Sequence, residues 1–184
     1  NFNQARSEWE YFCYNKSNTP ALRNNYMLNV MLIDGELWLG YRRLGLARFA
    51  LTQNDNIEIL DVPSKLDTLT QNHSVCDMMK DSRNNIWIGT SGNGVIRWDA
   101  TTKDFIHFNY QAGDSLTLSH PYVFDIEELN NDEIAFATAN GGLCIYSYST
   151  DNFRSYQHNE KQNNSLSNNF VMDIYPDDKG VWVS

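Results

Sequence analysis

The feature that most constrains this chain is a repeat of 48 residues. Val75-Cys76-Asp77-Met78 returns as Val123-Phe124-Asp125-Ile126 and again as Val171-Met172-Asp173-Ile174, with a weaker copy at Met27-Leu28-Asn29-Val30. A second run follows each copy. Ile86-Trp87-Ile88-Gly89-Thr90 has relatives in Leu37-Trp38-Leu39-Gly40-Tyr41, Ile134-Ala135-Phe136-Ala137-Thr138 and Val181-Trp182-Val183-Ser184. A third run opens on glycine: Gly45-Leu46-Ala47-Arg48-Phe49, Gly94-Val95-Ile96-Arg97-Trp98 and Gly142-Leu143-Cys144-Ile145-Tyr146. The fourth is a pair of apolar anchors, Trp9/Phe12, Ile57/Leu60, Phe105/Phe108 and Phe153/Tyr156, each pair 48 residues after the last. A chain built this way stacks like units, because each unit buries its apolar faces only against its neighbours.

Each unit holds four short runs rich in β-branched and aromatic residues and bounded by turn residues, which is strand chemistry. Asp34-Gly35 is a two-residue hairpin signal, and Asn93-Gly94 and Asn140-Gly141 supply the positive φ a tight turn needs. Asn84-Asn85 and Asp178-Lys179-Gly180 are also turn-prone. No run has the length and 3.6-residue period of a helix, so none is expected. Four strands per unit at this period make a propeller blade; leucine-rich repeats are shorter, at roughly 20–29 residues, and helical repeats lack these strands. The expected fold is all-β: residues 1–184 form part of one β-propeller, with four-stranded antiparallel blades and an incomplete ring. An outer strand falls at 8–12, blades at about 22–60, 71–108 and 118–156, and a partial blade at 166–184. The innermost strands fall at 26–32, 74–80, 122–128 and 170–175. That makes fifteen strands, one short of a four-bladed ring, and implies a larger propeller.

Composition narrows the function. At 184 residues, 41% hydrophobic and 13% aromatic, the chain can build a sizeable core. A net charge of −9 disfavours nucleic acid and anionic membrane surfaces as partners. No apolar stretch is long enough to span a bilayer and no signal peptide is visible; a chain that begins at Asn1 reads as one whose start was removed or lies elsewhere. Cys13, Cys76 and Cys144 are odd in number and far apart, so they read as small apolar strand residues. The four histidines show no ligand spacing, and neither a metal nor a cofactor is expected.

Ser165-Leu166-Ser167-Asn168-Asn169-Phe170-Val171, followed by Asp177-Asp178-Lys179-Gly180-Val181-Trp182, resembles the two-component regulator propeller repeat. Asp81 through Gly94 of the middle unit resembles it too, and the spacer Tyr110-Gln111-Ala112-Gly113-Asp114-Ser115-Leu116 fits. The resemblance covers nearly the whole chain. It implies the periplasmic sensor of a hybrid two-component system, of the kind common in gut Bacteroidetes. Such a protein carries two seven-bladed propellers, a small β-sandwich, a membrane helix, a histidine kinase and a response regulator. It implies an oligosaccharide as ligand, the rest of the same sensor chain as a partner, and a homodimer in the full-length protein. It also implies that kinase activity lies outside this chain, which is not itself expected to be an enzyme. Two positions depart from the pattern. Ala135 stands where tryptophan is expected, so Phe136 or a neighbour must supply the bulk. Tyr41-Arg42-Arg43-Leu44 replaces a Thr-Ser-Gly-Gly type of turn.

Residues that recur in every unit are best explained by the blade. Asp77, Asp125 and Asp173, with Asn29 in the first copy, read as hydrogen-bond acceptors for neighbouring backbone; a cation in a central channel is the alternative. Trp38, Trp87 and Trp182 read as core. Residues that break the repeat are the ligand-binding candidates. Arg42 and Arg43, between the second and third strands, suit carboxylated or sulfated sugars. His120 and Tyr122, in the connection to the third blade, and His73, with Tyr26 at a related place, can stack on and hydrogen-bond a sugar. The run from Asp177 to Trp182 also resembles the Asp-box of sialidases, which is structural there. No catalytic motif is present. Two other readings stay open: a protein-interaction or dimerisation propeller without a ligand of its own, and a propeller lyase resembling the streptogramin-inactivating ones. A lyase needs a histidine and an acid converging on one face, and no such pair stands out.

Overall fold

The computed structural model describes residues 2–3, 8–9, 26–51, 57–99 and 101–184, and the repeat becomes a series of antiparallel sheets. The first complete sheet is β3 (Met27–Ile33), β4 (Glu36–Tyr41), β5 (Gly45–Leu51) and β6 (Ile57–Leu60), in that order; it follows the short pair β1 (Phe2–Asn3) and β2 (Glu8–Trp9). The helix α1 (Ser64–Thr70) leads to the second sheet, β7 (Val75–Lys80), β8 (Asn85–Thr90), β9 (Val95–Asp99) and β10 (Phe105–Phe108). The third is β11 (Val123–Asn130), β12 (Glu133–Thr138), β13 (Leu143–Ser147) and β14 (Asn152–Tyr156), and β15 (Ile174–Asp177) pairs with β16 (Gly180–Val183). Chain order equals spatial order in each sheet, and the first strands β3, β7, β11 and β15 contact one another in sequence. These are four-stranded blades in an open arrangement, nearly all-β.

Three features differ from the sequence expectation. Helix α1 was not expected. It is under two turns long, too short to show a period, and tertiary contact holds it: Leu66 is buried among Val75, Met78 and Trp38, and the Thr70 hydroxyl donates to the Leu66 carbonyl at 3.0 Å. The strand expected at 8–12 is β2, which pairs with β1 (Phe2↔Trp9); positions 10–12 lie outside the described residues, as does Cys13. The inner strand expected from 170 begins at Ile174, because its partner β16 runs only to Val183 and leaves single bonds, Met172 N to Ser184 O at 2.7 Å and Ser184 N to Asp173 O at 3.2 Å.

Strand alternation explains the packing. In β8, Ile86 and Ile88 face the first blade, while Trp87 faces the third, meeting Phe136 and Tyr146 at 5.5 Å between ring centroids. Trp38 likewise meets Trp98 of the next blade at 5.0 Å. Beside each tryptophan sits a glycine that admits the next blade. A Cβ on Gly40 would come within 2.9 Å of Val75, and one on Gly89 within 3.1 Å of Val123. Two expectations need correction here. Phe136 does not supply the bulk missing at Ala135, since it faces backward into the second blade; Leu143, Ile145, Val171 and Ile174 surround Ala135 instead. Trp182, expected in the core, is 61% exposed, because it faces forward from β16 and no strand among the described residues covers that side.

The turn chemistry expected from sequence also finds its reason. Asp81, 4% exposed, accepts from Trp87 Nε1 at 2.8 Å, from the backbone N–H of Arg83 and Asn85, and from the Tyr148 hydroxyl of the next blade. Asp177 repeats the device with Trp182 Nε1 at 2.8 Å and the N–H groups of Lys179 and Gly180. These carboxylates pin the first hairpin of a blade to its own tryptophan.

Candidate functional site

The turns between second and third strands and the connections between blades come together on one face. Backbone bonds set this face at the repeat interval: Gly45 N–H donates to His73 O, Gly94 N–H to Pro121 O and Gly142 N–H to Asn169 O, at 3.2, 2.8 and 2.9 Å. All five sequence-predicted site residues, Arg42, Arg43, His73, His120 and Tyr122, lie on these segments. They do not form one cluster.

Arg42, Arg43 and Tyr122 come together toward the inner strands, with Tyr26. The Arg42 guanidinium sits 5.3 Å from the Tyr26 ring centroid, and Arg42 N–H donates to the Tyr26 carbonyl at 3.1 Å. Arg43 N–H donates to Ser74 Oγ at 3.2 Å. Burial and the neighbouring Cys76 push the Tyr122 phenol up, while Arg42 and Arg43 pull it down, so the two arginines act on this tyrosine through space. The Tyr122 ring packs tilted against Phe124 at 4.7 Å between centroids, and Phe124 against Phe170 at 5.2 Å. Burial pushes the Cys76 thiol up to about 11, which makes it a poor nucleophile at neutral pH.

His73 serves the fold. Its Nδ1–H donates to Ser91 O at 3.2 Å, and its carbonyl takes the Gly45 N–H. His120 instead lines a cleft of about 630 Å³ between the connection entering the third blade and that blade, with Tyr110, Gln111, Ser119, Asn140 and Gln157. Its Nδ1 accepts the Tyr122 N–H at 3.1 Å, which leaves Nε2–H as the donor of the neutral ring. All but Gly113 and Pro121 of the residues lining the cleft carry a polar side-chain atom, and Tyr110 adds an exposed ring. Sequence reasoning named only His120 among them. Gln111 and Tyr110 stood in the repeat spacer and Asn140 in a turn, and only the third dimension brings them together.

Below this face, the inner strands carry the recurring carboxylates. Asp77 accepts from Asn29 Nδ2 at 2.7 Å on one side and from Ile126 N–H at 3.0 Å on the other; Asp125 accepts from Ile174 N–H at 2.8 Å. Each therefore laces its blade to the next. Burial first, and the Asp125 charge second, push the Asp77 carboxyl up to about 7. Burial also raises Asp125. No group of His, Cys, Asp and Glu among the described residues is arranged to hold a metal ion.

This geometry defines a run of propeller blades with a polar, aromatic and cationic face. Residues 68–92, spanning the second connection and the first hairpin of its blade, match the two component regulator propeller family. The extracellular domain described as that of a hybrid two component system, BT3049, from B. thetaiotaomicron is 25% identical, with a TM-score of 0.71 over 99% of this chain and 22% of that one. A second such domain from that organism, BT4673, is 22% identical with a TM-score of 0.66, over 88% of this chain and 20% of that one. PorZ, a surface component of the type-IX secretion system of Porphyromonas gingivalis, shares the fold at 17% identity and a TM-score of 0.68, over 99% of this chain and 27% of its own. This chain thus spans about a fifth to a quarter of the length of those structures. No curated protein matches it. Residues 68–92 thus match one copy of the two component regulator propeller repeat, and the fold of the chain is similar to that of these extracellular domains. None of its helices among the described residues is long and apolar enough to cross a membrane.

Proposed function

We propose that this chain is a ligand-recognising part of the extracytoplasmic domain of a two-component sensor, periplasmic in location and anchored through the inner membrane by other parts of the same protein. Its ligand is an oligosaccharide, and occupancy is passed to a histidine kinase elsewhere in that protein, which acts as a homodimer. The chain itself carries no catalytic step. The observation that supports this reading is the cleft between the third blade and the connection that enters it. It has the size class of a small-molecule site, a hydroxyl- and amide-rich lining, and the exposed ring of Tyr110 as a stacking surface. Sugars present many hydroxyls and one apolar ring face, and such a lining answers both.

The test uses the complete extracytoplasmic domain, in thermal-shift and calorimetric titrations against a panel of oligosaccharides. One class is expected to raise the melting temperature; saturation at a hundred times Kd adds about 2.7 kcal/mol of stability. Asn140→Ala with Gln157→Ala is expected to weaken that binding about tenfold, as loss of one to two net hydrogen bonds. A domain that binds no oligosaccharide but self-associates tightly would instead be the interaction propeller without a ligand of its own.

A further inference from the structure

Arg42 and Arg43 occupy a turn that breaks the repeat in both sequence and backbone. Arg43 has φ +60°, and the equivalent place in the second blade is Gly92 at φ +104°; in the third blade it is Asn140, whose φ is not positive. Left-handed backbone suits glycine and asparagine and strains a long-branched L-residue. Every other described non-glycine residue with positive φ except Lys103 is an asparagine or aspartate. The fold thus carries a strained arginine where glycine would be easier, and observed strain of this kind points toward function.

Both guanidinium groups are exposed, and neither has an ion-pair partner among the described residues. Their backbones are fixed by Tyr26 O and Ser74 Oγ, and Arg42 rests over the Tyr26 ring. The chain as a whole carries −9, so an adjacent, uncompensated cation pair is a local exception. Tyr26 and Tyr122 flank the pair, and Tyr122 directly follows Pro121, which lines the cleft.

We infer that the Arg42–Arg43 turn is an anion subsite on the same face as the cleft, which takes the carboxylate or sulfate of an acidic sugar residue. The inference rests on the oligosaccharide reading above and narrows it to acidic glycans. Guanidinium forks receive planar or tetrahedral oxyanions through paired N–H donors, and the tyrosine rings cover the sugar face.

The experiment is calorimetry on the complete extracytoplasmic domain with paired probes: oligogalacturonides against their methyl esters, and sulfated disaccharides against their desulfated forms. The first pair reads carboxylate, the second sulfate. At least one acidic probe is expected to bind tenfold or more tighter than its neutral counterpart, and to weaken as salt rises. Arg42→Gln with Arg43→Gln should erase that difference while leaving neutral binding unchanged. Arg43→Gly separates function from folding: relief of the left-handed strain should keep or raise the melting temperature while acid affinity falls. Equal affinity for acidic and neutral members of every pair, or an unchanged preference in the double variant, overturns the anion subsite and leaves the oligosaccharide reading standing. If no oligosaccharide of either kind binds, both fall. If the double variant abolishes self-association instead, the pair belongs to a protein interface and the inference is overturned.

Discussion

Replacing Asp77 with asparagine should make the protein more stable at alkaline pH and leave it little changed in acid. Asp77 lies on an inner strand, half-buried, with Asp125 of the next blade beside it. Folding therefore favours the protonated carboxyl, and its value rises from 3.8 to about 7. For a carboxyl raised on folding, the ionised form is the one that folding penalises. No penalty applies below 3.8, it grows as pH rises toward 7, and above 7 it is complete. At about 1.36 kcal/mol per pH unit, the full penalty is about 4 kcal/mol. Asparagine removes it and keeps an oxygen for the Ile126 N–H. Its new N–H₂ can meet Asn29, whose buried Oδ1 has no hydrogen-bond partner and is exposed to this contact by a rotation of that amide. The first blade already uses asparagine at this register, so the geometry accepts it. The assay is urea denaturation of the complete extracytoplasmic domain at intervals from pH 4.5 to 8.5, roughly spanning the titration. The variant should gain up to about 4 kcal/mol at the alkaline end and nothing or a small loss at the acid end. Parallel stability curves for the two proteins, or a variant destabilised equally at both ends, would refute the reasoning.

Two further outcomes follow from the packing. Trp87→Ala should destabilise by roughly 3–5 kcal/mol, because it empties a fully buried ring site and removes one donor from the buried Asp81 carboxylate; an unchanged denaturation midpoint would remove Trp87 from the core. The 184 residues on their own should self-associate, because Tyr175 and Trp182, paired across β15 and β16, present exposed rings on the forward face; sedimentation showing a stable monomer at micromolar concentration would refute this.

Much of the architecture was legible because a propeller writes itself several times. The 48-residue interval located each strand of the three complete blades, since like sequence in like surroundings must find like structure. It also located the turns, where Asp34-Gly35 and Gly94 carry positive φ as their chemistry requires. A single helical segment escaped, because α1 is held by Leu66 docking under a blade rather than by any period of its own.

The sequence by itself determined the blade, the recurring carboxylates that lace blade to blade, and the place where the repeat breaks at Arg42 and Arg43. The tertiary structure decided which way each residue faces and which residues share a site. Trp87 and Trp182 are the same letter in the same register, yet one is fully buried and the other 61% exposed, because burial depends on the neighbouring sheet and not on the strand. Phe136 points backward and Ala135 forward for the same reason: alternation is local, but what each face meets is not. Tyr110, His120, Asn140 and Gln157 are spread over nearly fifty positions of chain and line one cleft, because the spacer entering the third blade folds back over a turn and a strand end of that blade. His73, which shares its connection with the candidates, turned out to be tied to the backbone of the next turn at Ser91. A repeat fixes positions along the chain to the residue, whereas a binding face is made by the few side chains that depart from it, and their meeting is a property of the stack.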